Sequence, residues 1–68
     1  MTIKNQIAAV KDQLKIDTIS RDAILNAYHI QDASKLNTDA FRMFDFYDQK
    51  VKSHTQYIKI LEQRLAIS

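Results

Sequence analysis

The chain contains no glycine, no proline and no cysteine in its 68 residues. Tight turns with positive φ and phosphate-cradling loops depend on glycine, and proline is the strongest helix breaker. Disulfides and thiolate-bound zinc both need cysteine. Apolar residues recur at helical spacing instead, so the sequence predicts an all-α fold.

Length and composition predict a single small helical domain over residues 1–68. Hydrophobic residues make up 46% of the chain and charged residues 26%, which is typical of a folded protein. A domain of this size buries only about 60% of its unfolded surface, and oligomerisation is a common remedy. The start of the chain carries Lys4, Lys11 and Asp12, and no long apolar run follows. We therefore expect a cytoplasmic protein without a membrane contact.

Three helices are predicted from apolar spacing and from capping residues. Steps of four and three between Ile3, Ile7, Val10 and Leu14 predict helix one, about residues 2–15. β-branched and short polar side chains at residues 16–18 predict its end. Ser20 and Asn37 are each followed by an aspartate two residues on, which predicts helices at 21–29 and 38–66 joined by residues 30–36.

The predicted third helix carries two stripes at steps of three and four. We call them the inner stripe (Phe44, Tyr47, Val51, His54, Ile58, Leu61 and Leu65) and the outer stripe (Met43, Phe46, Lys50, Ser53, Tyr57, Ile60, Arg64 and Ile67). Helix three would be about twice as long as helix one, so part of it needs another partner. An alternative is a break at Ser53, which forms a capping-box spacing with Gln56.

Surplus apolar surface predicts self-association, with a dimer favoured. The inner stripe is assigned to the monomer core, and the apolar outer-stripe residues are assigned to a second copy or another protein. These candidate contact residues are Met43, Phe46, Tyr57, Ile60 and Ile67. The same heptad-like spacing is typical of a coiled coil.

Catalysis, cofactors and metals are not expected. A Walker loop, a dinucleotide fingerprint and a nucleophile elbow all need glycine. The two histidines, His29 and His54, fall in different helices, and Glu62 is the single glutamate. A metal pair at Asp45 and Asp48 is less favoured than a solvated face in which Asp48 pairs with Lys52.

Nucleic acid is the alternative partner. Lys50, Lys52, Lys59 and Arg64 make the last twenty residues basic, with Glu62 as the opposing charge. Four such charges would give weak, strongly salt-dependent phosphate binding. They spread around the helix, however, which is also typical of an ordinary solubilising surface.

Residues 21–52 resemble the small helical module appended to some phage single-strand annealing recombinases. The similar features are a helix ending in Tyr28-His29-Ile30, the Ser34-Lys35-Leu36 lead-in, the polar cap Asn37 and a longer helix. His29 departs from the pattern, which usually has glycine there. The resemblance implies a docking role in phage DNA metabolism, such as contact with a single-strand-binding protein. Together these features predict a non-enzymatic protein-interaction module, an adaptor or an inhibitor of a host complex.

Overall fold

The computed structural model describes residues 2–67, which form a helical hairpin. Helix α1 spans Ile3–Ala27, a single 3₁₀ turn covers Ala33–Lys35, and helix α2 spans Thr38–Ile67. The two long helices pack side by side along their length, and the molecule measures 46 × 16 × 15 Å. The all-α prediction is confirmed, and the prediction of three helices is wrong.

Helix α1 passes through the predicted break without interruption. The Thr18 hydroxyl donates to the carbonyl of Leu14 at 2.8 Å, so this polar side chain is satisfied within the helix. Asp17 is buried and accepts a hydrogen bond from Gln13, one turn earlier. Ser20 therefore lies inside α1 instead of capping a second helix. The two predicted helices at 2–15 and 21–29 are one element.

The end of α1 adopts a left-handed turn at His29, whose φ is 53°. The His29 amide donates to Asn26, and the Ile30 amide donates to Leu25. These two bonds form the Schellman motif, in which glycine is the usual left-handed residue. The departure noted at His29 therefore leaves the turn geometry intact, at the conformational cost of placing a side chain in this region.

Helix α2 begins where the sequence predicts. Asn37 accepts a hydrogen bond from the Ala40 amide through its side chain and from the Phe41 amide through its carbonyl. The helix then runs through Ser53 without a break, which excludes the capping-box alternative. Helix α1 has 25 residues and α2 has 30. The expected twofold difference in length is therefore wrong, because α1 extends alongside α2.

Candidate interaction surface

The inner stripe of α2 faces α1, as predicted. Its seven residues are all buried or half-buried, with Leu61 1% exposed and Ile58 6%. The buried hydrophobic residues of the described chain are few: Ile7, Leu36, Ala40, Ile58 and Leu61. The hairpin core is consequently thin, and polar residues complete the contact between the helices.

A buried carboxylate lies at the middle of this contact. Asp17 is 2% exposed, and its Oδ1 accepts a hydrogen bond of 3.2 Å from Gln13 Nε2. His54 Nε2 lies 2.9 Å from the other oxygen, Oδ2, which has no hydrogen bond of acceptable geometry. At 2.9 Å the ring nitrogen of His54 is within polar contact distance of this buried oxygen. Asp17 therefore depends on His54 across the interface.

A second polar link joins the helices one turn towards the loop. Arg21 Nη1 lies 3.0 Å from Asp48 Oδ1, and Lys52 Nζ lies 3.0 Å from Oδ2 of the same carboxylate. The hydrogen bond from Lys52 is the largest influence and lowers the pKa of Asp48; burial raises this pKa, and the hydrogen bond from Arg21 lowers it further. Asp48 therefore stabilises the fold at pH values above the ordinary aspartate pKa. This stabilisation is lost as the pH falls through the lowered pKa of Asp48 in the folded protein.

One side of the hairpin forms an open groove of about 420 Å³ between the helices. Both apolar and charged side chains line this groove. The lining residues are Lys11, Leu14, Lys15, Thr55, Ile58, Lys59 and Glu62. Three lysines against one glutamate give this groove a net positive charge.

The outer stripe of α2 is exposed along its whole length. Exposed fractions are 59% for Met43, 55% for Phe46, 44% for Tyr57, 47% for Ile60 and 86% for Ile67. Soluble proteins expose scattered hydrophobic side chains routinely, but five large apolar side chains along one face of a helix are typical of an interaction site.

The groove and the outer stripe lie on opposite sides of the hairpin. Ile58 is buried against α1, and successive helical residues are rotated by about 100°. Lys59, which lines the groove, therefore lies to one side of Ile58, and Tyr57 lies to the other. The lysine-lined groove and the outer stripe are therefore separate surfaces of the hairpin.

This arrangement divides the four predicted nucleic-acid residues. By helical rotation Lys52 and Lys59 lie on the groove side, while Lys50 and Arg64 lie on the outer stripe. Lys50 Nζ sits 4.6 Å from the centre of the Phe46 ring. The groove instead brings Lys59 together with Lys11 and Lys15 of α1, which were not among the predicted residues. Their i,i+4 spacing was the available signal, but it could not reveal which part of α2 lies beside them.

The molecule exposes more surface than a compact protein of its size. Its accessible surface is 5176 Å², whereas a compact monomer of this mass exposes about 4,400 Å². The radius of gyration is 14.7 Å, compared with about 11 Å for a compact 68-residue domain. The excess of about 800 Å² reflects the elongated shape of the hairpin.

No family model, curated protein or solved structure matches this chain. The resemblance of residues 21–52 to the phage module therefore remains a prediction. Within residues 2–67, no helix combines the length and the hydropathy of a membrane span. The same part of the chain has no group of three or more histidine, aspartate or glutamate side chains placed to hold a metal ion.

Proposed function

We propose that this protein is a small, non-enzymatic interaction module that associates through the outer stripe of α2, with a homodimer as its principal form. The observation that carries the proposal is the exposed row from Met43 to Ile67 on a hairpin with few buried hydrophobic residues. Burying such a row contributes about 25 cal/mol for each Å² of apolar surface removed from water, and the cost of lost translational and rotational freedom is subtracted from that gain.

The setting that we propose comes from the resemblance of residues 21–52 to the recombinase module. A dimer of hairpins would serve as an adaptor in phage DNA metabolism or as an inhibitor of a host complex. Binding of this kind requires shape and apolar surface, and it requires neither cofactor nor catalytic group.

Two isoleucines provide a matched test of the outer stripe. Ile60 on the outer stripe is 47% exposed, and Ile19 on α1 is 60% exposed and points away from α2. We expect Ile60→Gln to weaken self-association at least about tenfold, because each dimer loses two apolar contacts. Ile19→Gln should leave it unchanged. Sedimentation equilibrium from micromolar to submillimolar concentration measures both.

The two variants differ only in the face that carries the substitution. Equal effects of Ile60→Gln and Ile19→Gln would show that exposed hydrophobicity in general, and not the outer stripe, drives association. A wild-type protein that stays monomeric over the whole concentration range would contradict the self-association that we propose.

Nucleic-acid binding is the second candidate, and the groove favours it. Lys11, Lys15 and Lys59 lie around one cleft, so their charges act together more effectively than the four dispersed charges of the C-terminal segment. A phosphate backbone along this side would contact both helices.

Replacing Lys11, Lys15 and Lys59 with alanine should weaken DNA binding equally for all sequences and reduce the salt-dependence slope by about 2–3. Fluorescence anisotropy with labelled single- and double-stranded DNA across a salt series measures this. The control is Lys50→Ala with Arg64→Ala, which removes positive charge from the opposite side of the hairpin. Wild-type protein that binds neither DNA at low salt would eliminate this candidate.

A further inference from the structure

We propose that the outer stripe packs against the same stripe of a second copy running antiparallel, in the register that places Asp39 of each copy opposite Arg64 of the other. This inference rests on the proposed function and adds the orientation and register of the dimer. Its evidence is the order of charged and apolar residues along one exposed helix face.

Asp39 extends the outer stripe by one turn. It precedes Met43 by four residues, so helical rotation places it on the same face. Asp39 lies in the first turn of α2 and Arg64 in the last, and both are exposed. Neither belongs to an ion pair within residues 2–67. The outer stripe thus has a negative charge, Asp39, near one end and a positive charge, Arg64, near the other, each unpaired within the described part of the chain.

The antiparallel register pairs every position of this face except Ile67, whose counterpart, residue 36, precedes α2. With Asp39 opposite the copy's Arg64, Met43 lies opposite Ile60 and Phe46 opposite Tyr57. Lys50 then lies opposite Ser53 at the centre of the dimer, where the Lys50 residues of the two copies are offset by about 4.5 Å along the axis. Each pair occurs twice by symmetry, so the interface contains four apolar pairs and an ion pair at each end.

Other arrangements match less well. A parallel dimer in register brings Asp39, Lys50 and Arg64 each against its own copy, which places like charges together at three positions, whereas the antiparallel register does so only at Lys50. Shifting the antiparallel register by one heptad separates Asp39 from Arg64 by about 10 Å and sets Lys50 opposite Ile60. Electrostatic complementarity therefore selects one orientation and one register.

Charge reversal tests the register directly. Asp39→Arg and Arg64→Asp should each weaken the dimer about tenfold, because each substitution turns two attractive pairs into two repulsive ones. The double variant should return the dissociation constant to within about threefold of wild type, since the pairs are restored in reversed order. Sedimentation equilibrium at low salt is the measurement.

The double variant also controls for effects on the helix itself. Both reversed charges oppose the α2 dipole, so a more stable helix cannot explain recovery of the dimer. If the double variant dimerises no better than the single variants, the register is wrong. If wild-type protein does not dimerise at all, the proposed function fails instead, which keeps the two outcomes distinct.

A spin-label distance gives the orientation independently. Gln63 is exposed and lies off the outer stripe, and the proposed register sets it opposite residue 40 of the copy. Labels on Gln63→Cys should therefore be separated by about 35 Å along the helix axis. Double electron–electron resonance showing a distance near the width of two helices would indicate a parallel dimer and overturn the proposal.

Discussion

Replacing His54 with leucine should lower the free energy of unfolding by about 3 kcal/mol, because it removes the cross-helix partner of a buried carboxylate. Leucine preserves the packing volume, so the loss reports the polar contact and not a cavity. Asp17 would keep its hydrogen bond from Gln13, but Oδ2 would be left in the interior without a polar neighbour. Chemical denaturation followed by circular dichroism measures the change.

Replacing Asp17 with leucine should lower the free energy of unfolding by less than replacing His54 does. His54 is 27% exposed at its side chain, whereas the Asp17 side chain is 3% exposed, so an unpaired imidazole reaches water and an unpaired carboxylate does not. The double variant Asp17→Leu with His54→Leu should be as stable as wild type or more stable, because an apolar pair carries no desolvation cost.

A nearby ion pair supplies the control for this comparison. Asp48 is more exposed than Asp17 and has Arg21 and Lys52 as partners, so Asp48→Asn should cost about 1 kcal/mol or less. If His54→Leu lowers the free energy of unfolding no more than Asp48→Asn does, the contact between His54 and Asp17 does not stabilise the hairpin as proposed.

The sequence predicts α2 well and α1 poorly, for a physical reason. The Asn37 cap and the inner stripe are local signals, and both were sufficient to place α2 correctly. The prediction of a break at residues 16–18 is wrong because the Thr18 hydroxyl donates a hydrogen bond within the helix and Asp17 contacts His54 on the other helix. The second of these partners is 37 residues away, and no local pattern contains it.

A signal for one continuous α1 was nevertheless present. The spacing of Ile3, Ile7, Val10 and Leu14 continues at the same steps through Asp17, Arg21 and Ile24. Asp17 and Arg21 interrupt its hydrophobicity but not its period, and both contact α2. A helical spacing that continues through polar residues therefore indicates one continuous helix, even where those polar residues suggest a break.

The same distinction between local and long-range signals applies to the two candidate surfaces. The outer stripe was identified from spacing alone, and its residues are exposed as that spacing implies. The basic groove was missed because it forms only when α1 and α2 lie antiparallel, which brings Lys11 and Lys15 beside Lys59. A surface within one helix can be predicted from sequence, whereas a surface shared by two helices requires the fold.

Leu61→Ala should lower the free energy of unfolding by about 3 kcal/mol, which is a large fraction of the stability of a domain this small. Leu61 is 1% exposed at the contact with α1, so its truncation removes buried apolar contacts and leaves a cavity between the helices. Leu61→Met, which conserves volume, should cost less than about 1.5 kcal/mol. Thermal unfolding by circular dichroism measures both variants.

The neighbouring residue separates the two roles of α2. Ile60 follows the same backbone but faces outward at 47% exposure, so Ile60→Ala should change the stability of the hairpin itself by less than about 0.5 kcal/mol. In a dimer the melting temperature rises with protein concentration, because association stabilises the folded form by mass action. Ile60→Ala should weaken that concentration dependence, whereas Leu61→Ala should lower the melting temperature at every concentration. Identical behaviour of the two variants would mean that Leu61 and Ile60 serve one continuous core, and that inner and outer stripes are not separate surfaces.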